Sequence, residues 1–266
     1  TVELLTREGE IRIAKRIEDG LNQVRGALGV FPGTYGALLG IYEPVSRGEG
    51  RLQDIITGFI DPNMPDEIAQ PNAKNSDDDD DDDDDEPVDT GPDPQEVIDR
   101  FTSIGKLYAA IQQSIEKHGS QDEKTTKLRK QLSSEFMELK LAPKMFDLLV
   151  ETLRGNIGKI RALERQVMQF CIRQAGMPRK EFISSFPENE TNLDWINKHI
   201  RAKRKHSSQL SKLRDDITCA QRKLIEIEHS TSLSISEIKE INRQMSIGEA
   251  KARRAKKEMV DANLRL

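Results

Sequence analysis

Nine consecutive aspartates, Asp77 to Asp85, followed by Glu86, set the first constraint on this chain. Neighbouring like charges repel, and the run offers nothing apolar to bury, so no packed element can cross it. The surroundings deepen the effect: Asp61 to Asp99 holds 17 acidic residues and a single lysine. Pro62, Pro65, Pro71, Pro87 and Pro92 also prevent a continuous helix. The sequence therefore predicts a long disordered acidic loop over about 61–92. Its plain role is a solvated linker. The alternative is an acidic mimic of nucleic acid that shields a basic groove, and nothing local chooses between them.

Outside Asp61–Asp99 the charge balance reverses. The rest of the chain carries 40 Lys/Arg against 29 Asp/Glu, a net +11 inside a whole-chain charge of −5. A basic body suggests a polyanionic partner. Aromatics make up only 5% of the residues, which argues against an aromatic-rich β core, and charged residues reach 33%. No apolar run approaches the roughly 20 residues of a membrane span. Two distant cysteines, Cys171 and Cys219, read as reduced thiols buried in helical patterns, consistent with a cytoplasmic protein. The chain opens at Thr1 without a methionine and stops at Leu266 inside a helical pattern, so it reads as an excerpt of a longer protein.

Helical periodicity dominates on both sides of the acidic loop. Ile13, Ile17, Leu21, Val24 and Leu28 form one stripe, predicting a helix from about Arg7 to Leu28 with Thr6 as its cap. A glycine-rich loop around Gly29–Gly36 and short helices near Tyr35–Tyr42 and Arg51–Phe59 follow. Asp93-Pro94 restarts structure with an N-cap and a proline at the first helical position. Further helices are expected after Ser120, from Ala142-Pro143 to about Gly176, and over Lys180–Phe186, Leu193–Arg201 and Gln209–Glu228. Two capping boxes, Ser234-x-x-Glu237 and Ser246-x-x-Glu249, predict helices Ile235–Gln244 and Ile247–Leu266. No period-2 strand of useful length is evident. The expected class is all-α: an elongated multi-helix domain with a long disordered acidic loop.

Catalytic chemistry has no constellation to rest on. The four histidines, His118, His199, His206 and His229, have no metal-like spacing and read as solvated surface. Gly155-Asn156-Ile157-Gly158-Lys159 sits mid-helix without the spacing of a phosphate-binding loop. The aspartate run lacks the glycine turn and ligand alternation of a calcium loop. No catalytic residue, metal, cofactor or small-molecule substrate is expected, and the chain does not read as an enzyme.

The last helix is more specific. Arg253, Lys256 and Lys257 share a face at helical spacing and are candidate contacts to a polyanion. The string Glu249-Ala250-Lys251-x-Arg253-Arg254-Ala255-Lys256-Lys257-Glu258-Met259-Val260-x-Ala262-Asn263-Leu264-Arg265-Leu266 resembles the opening of conserved region 2 in bacterial primary sigma factors. Thr1-Val2-Glu3-Leu4-Leu5-Thr6-Arg7-Glu8-Gly9-Glu10 through Ile17-Glu18-Asp19-Gly20 resembles the later part of their region 1.2. Ile56-Thr57-Gly58-Phe59-x-Asp61-Pro62-Asn63 and the acidic run look like their long non-conserved insertion.

The resemblance implies a division into 1–30 (later region 1.2), 31–60 (start of the insertion), 61–92 (acidic linker), 93–242 (helical insertion domain) and 243–266 (start of region 2). It implies that the first and last helices pack together and help bind single-stranded non-template promoter DNA at the downstream end of the minus-ten element and the discriminator. Leu4, Glu10, Asn263 and Leu266 match family positions around a flipped base there. Asn and Glu can hydrogen-bond an extruded base edge, and Leu can pack against its ring. The implied partners are the RNA polymerase core, chiefly its largest subunit, and promoter DNA. A competing reading is a purely structural helical module that contacts polymerase or a regulator.

Overall fold

The computed structural model describes residues 7–60, 92–120 and 122–263, with side chains to residue 262. The acidic run and the Thr6 cap lie outside these residues. Helix α1 spans Arg7–Val30, with Glu8 and Glu10 at the positive end of its dipole. It buries Ile13, Val24 and Leu28, with Ile17 and Leu21 at the margin. The glycine-rich loop expected after it is a single extended residue. Phe31 takes φ −84° and ψ 115°, the conformation a following proline favours, and α2 (Pro32–Ser46) begins at once. Thr34 Oγ1 donates to Leu28 O at 2.7 Å and Tyr35 Oη to Gly29 O at 2.6 Å, satisfying carbonyls at the end of α1. Gly29 serves packing here rather than a turn: a Cβ on it would meet Ser133 Oγ at 2.9 Å and the Phe136 ring at 3.1 Å.

The helix expected over Arg51–Phe59 is instead a 3-10 turn, Leu52–Asp54, followed by strand β1 (Ile56–Phe59). It pairs antiparallel with β2 (Leu139–Leu141), Ile56 opposite Leu141 and Phe59 opposite Leu139, with an irregularity between Ile56 and Gly58. Ile56 and Leu139 are fully buried, so the ribbon is a lid of the core. The remaining described residues outside loops are helical, as expected.

Helix α3 (Pro94–His118) starts as predicted, with Asp93 accepting from Gln95 N at 3.0 Å. Helix α4 (Glu123–Met137) is capped by Asp122, not Ser120, through Lys124 N at 3.0 Å. Helix α5 (Pro143–Met168) runs into a π-helical segment, Gln169–Gln174. Then come α6 (Arg179–Ser185), α7 (Asp194–Arg201), α8 (Ser207–Lys212) and α9 (Arg214–Thr231). The single helix expected over Gln209–Glu228 is therefore two, broken at Leu213.

The largest correction concerns α10 (Ile235–Asn263), one continuous helix where two were expected. The first capping box is real: Ser234 Oγ accepts from Glu237 N at 3.2 Å and Glu237 accepts from Ser234 N at 2.8 Å. The second lies mid-helix. Ser246 is exposed, and an uninterrupted buried stripe of Ile238, Ile241, Met245, Gly248, Ala252 and Ala255 runs past it.

Two hydrophobic cores result. The larger gathers side chains from α1–α5, the ribbon, α9 and α10 around Phe31, Phe101, Phe136, Leu149 and Ile238. The smaller gathers Val167, Cys171, Phe182, Phe186, Trp195 and Ile217. Phe182 and Phe186 stack at 4.8 Å, and Trp195 meets Phe186 edge-on at 5.1 Å. Helices α5 and α9 contribute to both cores and join them. Cys171 is buried as expected, its thiol pushed up to about 12 by desolvation. Cys219 is exposed, contrary to expectation, because it lies on the outer face of α9 beside buried Ala220. Among the described residues, no helix is long and apolar enough to cross a membrane.

A charged clamp ties α10 to the second core. Lys239 Nζ lies 2.5 Å from Glu164 on α5 and 2.8 Å from buried Glu190. Burial pulls the ammonium pKa down, but hydrogen bonds to both carboxylates outweigh this and hold it above its ordinary value. Lys239→Met leaves Glu190 buried without its cation. The expected loss is about 2 kcal/mol, below the 3–5 kcal/mol of a fully buried pair because Lys239 is 39% exposed. Urea unfolding of the two proteins at neutral pH measures it. A raised lysine pKa makes this contribution complete below the unfolded value near 10.5 and lost as pH rises through the folded one.

Candidate nucleic-acid interface

Helices α1 and α10 form an antiparallel pair, and small residues decide how closely they approach. A Cβ on Gly20 would lie 2.7 Å from Ala252 N and 2.8 Å from Gly248 O. One on Gly248 would lie 2.7 Å from Gly20 O and 3.0 Å from Val24 N. The backbones therefore touch, and Ala252 and Ala255 extend the seam. Val24 and Met245 close it on the core side.

Polar side chains fix the register. Arg16 grips Glu258 with two bonds, Nη1 to Oε2 at 2.6 Å and Nη2 to Oε1 at 3.1 Å. This pairing raises the Arg16 pKa and lowers that of Glu258. Gln23 donates to Gln244 Oε1 at 3.1 Å and accepts from Lys251 Nζ at 2.8 Å. From α5, Arg154 Nη2 donates to both oxygens of Glu249 at 2.7 Å. An element slipped by one residue would lose all of these at once.

The Arg16–Glu258 contact places the two ends of interest. At about 1.5 Å per residue, Glu10 lies roughly 9 Å along α1 from that contact and Asn263 roughly 8 Å along α10, both toward the same end of the pair. Glu10 is exposed in the first turn of α1. Asn263 is the last residue of α10, and its side chain lies outside the described residues, as do Leu4 and Leu266. The structure thus brings the backbone of two of the four predicted base-contact residues to one end and does not describe the other two.

The outer face of α10 is basic. Lys251, Arg253, Arg254, Lys256 and Lys257 are all exposed. Among the described residues, no carboxylate forms an ion pair with Arg253, Lys256 or Lys257. Arg7, Arg12 and Lys15 expose further cations on α1. Val260 adds an exposed apolar side chain near the same end, 54% accessible, which sequence reasoning passed over. The Gly20–Gly248 crossing was also missed. Its signal was available, since each glycine lies on the buried stripe of its own helix, where a larger side chain is the rule.

A family profile described as the sigma-70 non-essential region matches residues 31–228. The chain belongs to the sigma-70 family. The RNA polymerase sigma factor RpoD of Neisseria gonorrhoeae is 34% identical over 284 aligned positions, covering 100% of this chain. The chain spans 44% of that relative's length. The matched sigma-70 region begins at Phe31, where α1 ends, and stops within α9, so both helices of the glycine seam flank it. Sigma-70 membership agrees with the reading of the chain as non-enzymatic and with the resemblance found at its two ends.

Proposed function

We propose that this chain is the part of a primary sigma factor in which later region 1.2 and the start of region 2 meet across the insertion, and that their junction binds the unpaired non-template strand of promoter DNA. The contact of α1 with α10 carries the reading, because it joins the two motif-bearing segments into one surface. Glu10 and Asn263 supply hydrogen-bonding groups for an extruded base, with Leu4 and Leu266 as apolar packing partners. Arg253, Lys256 and Lys257 face the phosphates or the polymerase largest subunit. The work is binding energy for strand-separated DNA in the holoenzyme, not covalent chemistry.

A photoreactive non-template oligonucleotide in the holoenzyme tests it: label is expected near Asn263 and Glu10. Label absent from α1 and α10 would leave only a structural module contacting polymerase. Asn263→Ala is expected to weaken binding of the melted promoter strand about tenfold, the low end of what one specific base contact contributes. Replacing Arg253, Lys256 and Lys257 together by Gln is expected to reduce the slope of log K against log salt by about 2, if each meets one phosphate of a single strand. A slope unchanged by the triple replacement would remove these residues from the DNA contact.

A further inference from the structure

Two of the four histidines do not lie on the surface as expected. His199 at the end of α7 and His206 just before α8 converge on Glu181 of α6. His199 Nδ1 is 3.2 Å and His206 Nε2 is 3.8 Å from Glu181 Oε1, and the three atoms lie within 4.8 Å of one another. His206 is only 6% exposed, and its Nε2 has no hydrogen-bond partner among the described residues. A buried imidazole nitrogen aimed at a carboxylate without a bond to it calls for a further atom between them.

We propose that Glu181, His199 and His206 form a binding site for a zinc-class divalent cation. Tetrahedral coordination at roughly 2.0–2.2 Å places ligand atoms about 3.3–3.6 Å apart, which the two separations from Glu181 bracket, while the two imidazoles, within 4.8 Å of each other, close to that spacing around an ion. Two imidazoles with one carboxylate suit zinc, cobalt or nickel rather than magnesium or calcium, which take all-oxygen shells. A fourth position remains for water. The loop bearing the site is held in shape: Ser207 Oγ donates to His199 O at 2.7 Å and accepts from Arg204 N at 2.9 Å. The Trp195 ring packs at 4.8 Å from that of His199.

Arg204 is the competing cation, since its guanidinium also contacts Glu181 Oε1. Its side chain is 56% exposed and can swing into solvent when a metal enters. In the absence of metal it neutralises the carboxylate. The bound ion ties α6, α7 and the start of α8 together beneath the Phe182–Phe186–Trp195 cluster.

Titration of the intact protein with Co²⁺ and Zn²⁺, in a Cys219→Ser background that removes the exposed thiol, tests the site. One equivalent of Co²⁺ is expected to give the visible absorption of a tetrahedral ion and to be displaced by Zn²⁺. His206→Gln and Glu181→Gln are each expected to lower affinity about 100-fold or more, since even losing a residue that only orients a ligand costs 10–100-fold. Zinc at about a hundred times the parent Kd is expected to raise Tm by roughly 5 °C in the parent and by about 1 °C or less in either variant. Arg204→Ala, which keeps all three ligands, is expected to bind zinc more tightly. Weak binding that the ligand variants leave unchanged would assign the ions to the aspartate run and overturn the proposal. So would unaltered zinc affinity in Arg204→Ala.

Discussion

Gly248→Ala is expected to destabilise the protein by about 2 kcal/mol, although the same change in an open helix would stabilise it. Alanine is favoured over glycine in a helix interior by about 1 kcal/mol. Here the added methyl would lie 2.7 Å from Gly20 O and 3.0 Å from Val24 N. Both are backbone atoms, so no rotamer change relieves the clash, and the two helices must part. Overpacking against backbone that cannot give way costs about 3 kcal/mol, the upper end of its usual range, and outweighs the propensity gain. The expected fall in Tm is roughly 4–8 °C for a chain of this size. Gly26→Ala, on the partner helix α1, is the control. A Cβ there meets nothing within 4 Å, so it is expected to raise stability by about 0.5–1 kcal/mol. Differential scanning calorimetry of the two variants measures both signs. Equal stabilisation would mean that the helices do not touch at Gly20 and Gly248. Parting the helices also shifts the end that bears Glu10 and Asn263, so Gly248→Ala in holoenzyme is expected to reduce crosslinking to the melted strand.

Phe136→Ala is expected to have the largest effect on stability, a loss of about 3–5 kcal/mol. The ring is fully buried and meets Tyr35 edge-on at 5.7 Å. It also presses against Gly29 at the end of α1. Its removal empties the point where α1, α2 and α4 meet, and Gly29 and Ser133 cannot fill a space of that size. Tyr35 is positioned by the same ring and donates its hydroxyl to Gly29 O, so the terminus of α1 is expected to fray as well. Chemical denaturation gives the loss in stability, and amide hydrogen exchange at Ala27 to Val30 reads the fraying. A loss under 1 kcal/mol would contradict this packing of Phe136 against Tyr35 and Gly29.

Long periodic segments were readable because a stripe of five or more apolar residues at helical spacing has one solution. Ile13 to Leu28, and Val97 to Ile115 after the Asp93-Pro94 start, fall within helices whose bounds match the expectation to within a few residues. Short signals misled. Ser246-x-x-Glu249 has the composition of a capping box, yet Met245 and Gly248 carry the buried stripe of α10 straight through it. A cap requires the preceding pattern to stop, and it does not. Ile56–Phe59 and Leu139–Leu141 are too short to display a period of two, and each finds its partner some 80 positions away. The interface was legible only at its ends, through the motifs around Glu10 and Asn263. The glycine crossing and the Arg16–Glu258 pin are contacts between distant segments, and a periodic pattern on one helix does not name its partner. The same holds for His199 and His206, whose meeting with Glu181 depends on the turn of chain after α7.

The glycine seam also has a kinetic consequence. Gln23 and Lys251 are 228 positions apart in sequence, yet they share a hydrogen bond. Local helices form in microseconds, whereas contacts between such distant segments must wait until the chain between them has become compact. The union of α1 with α10 is therefore expected to be the slow, final event of folding. A nascent chain would carry α1 unmatched until α10 had emerged from the ribosome.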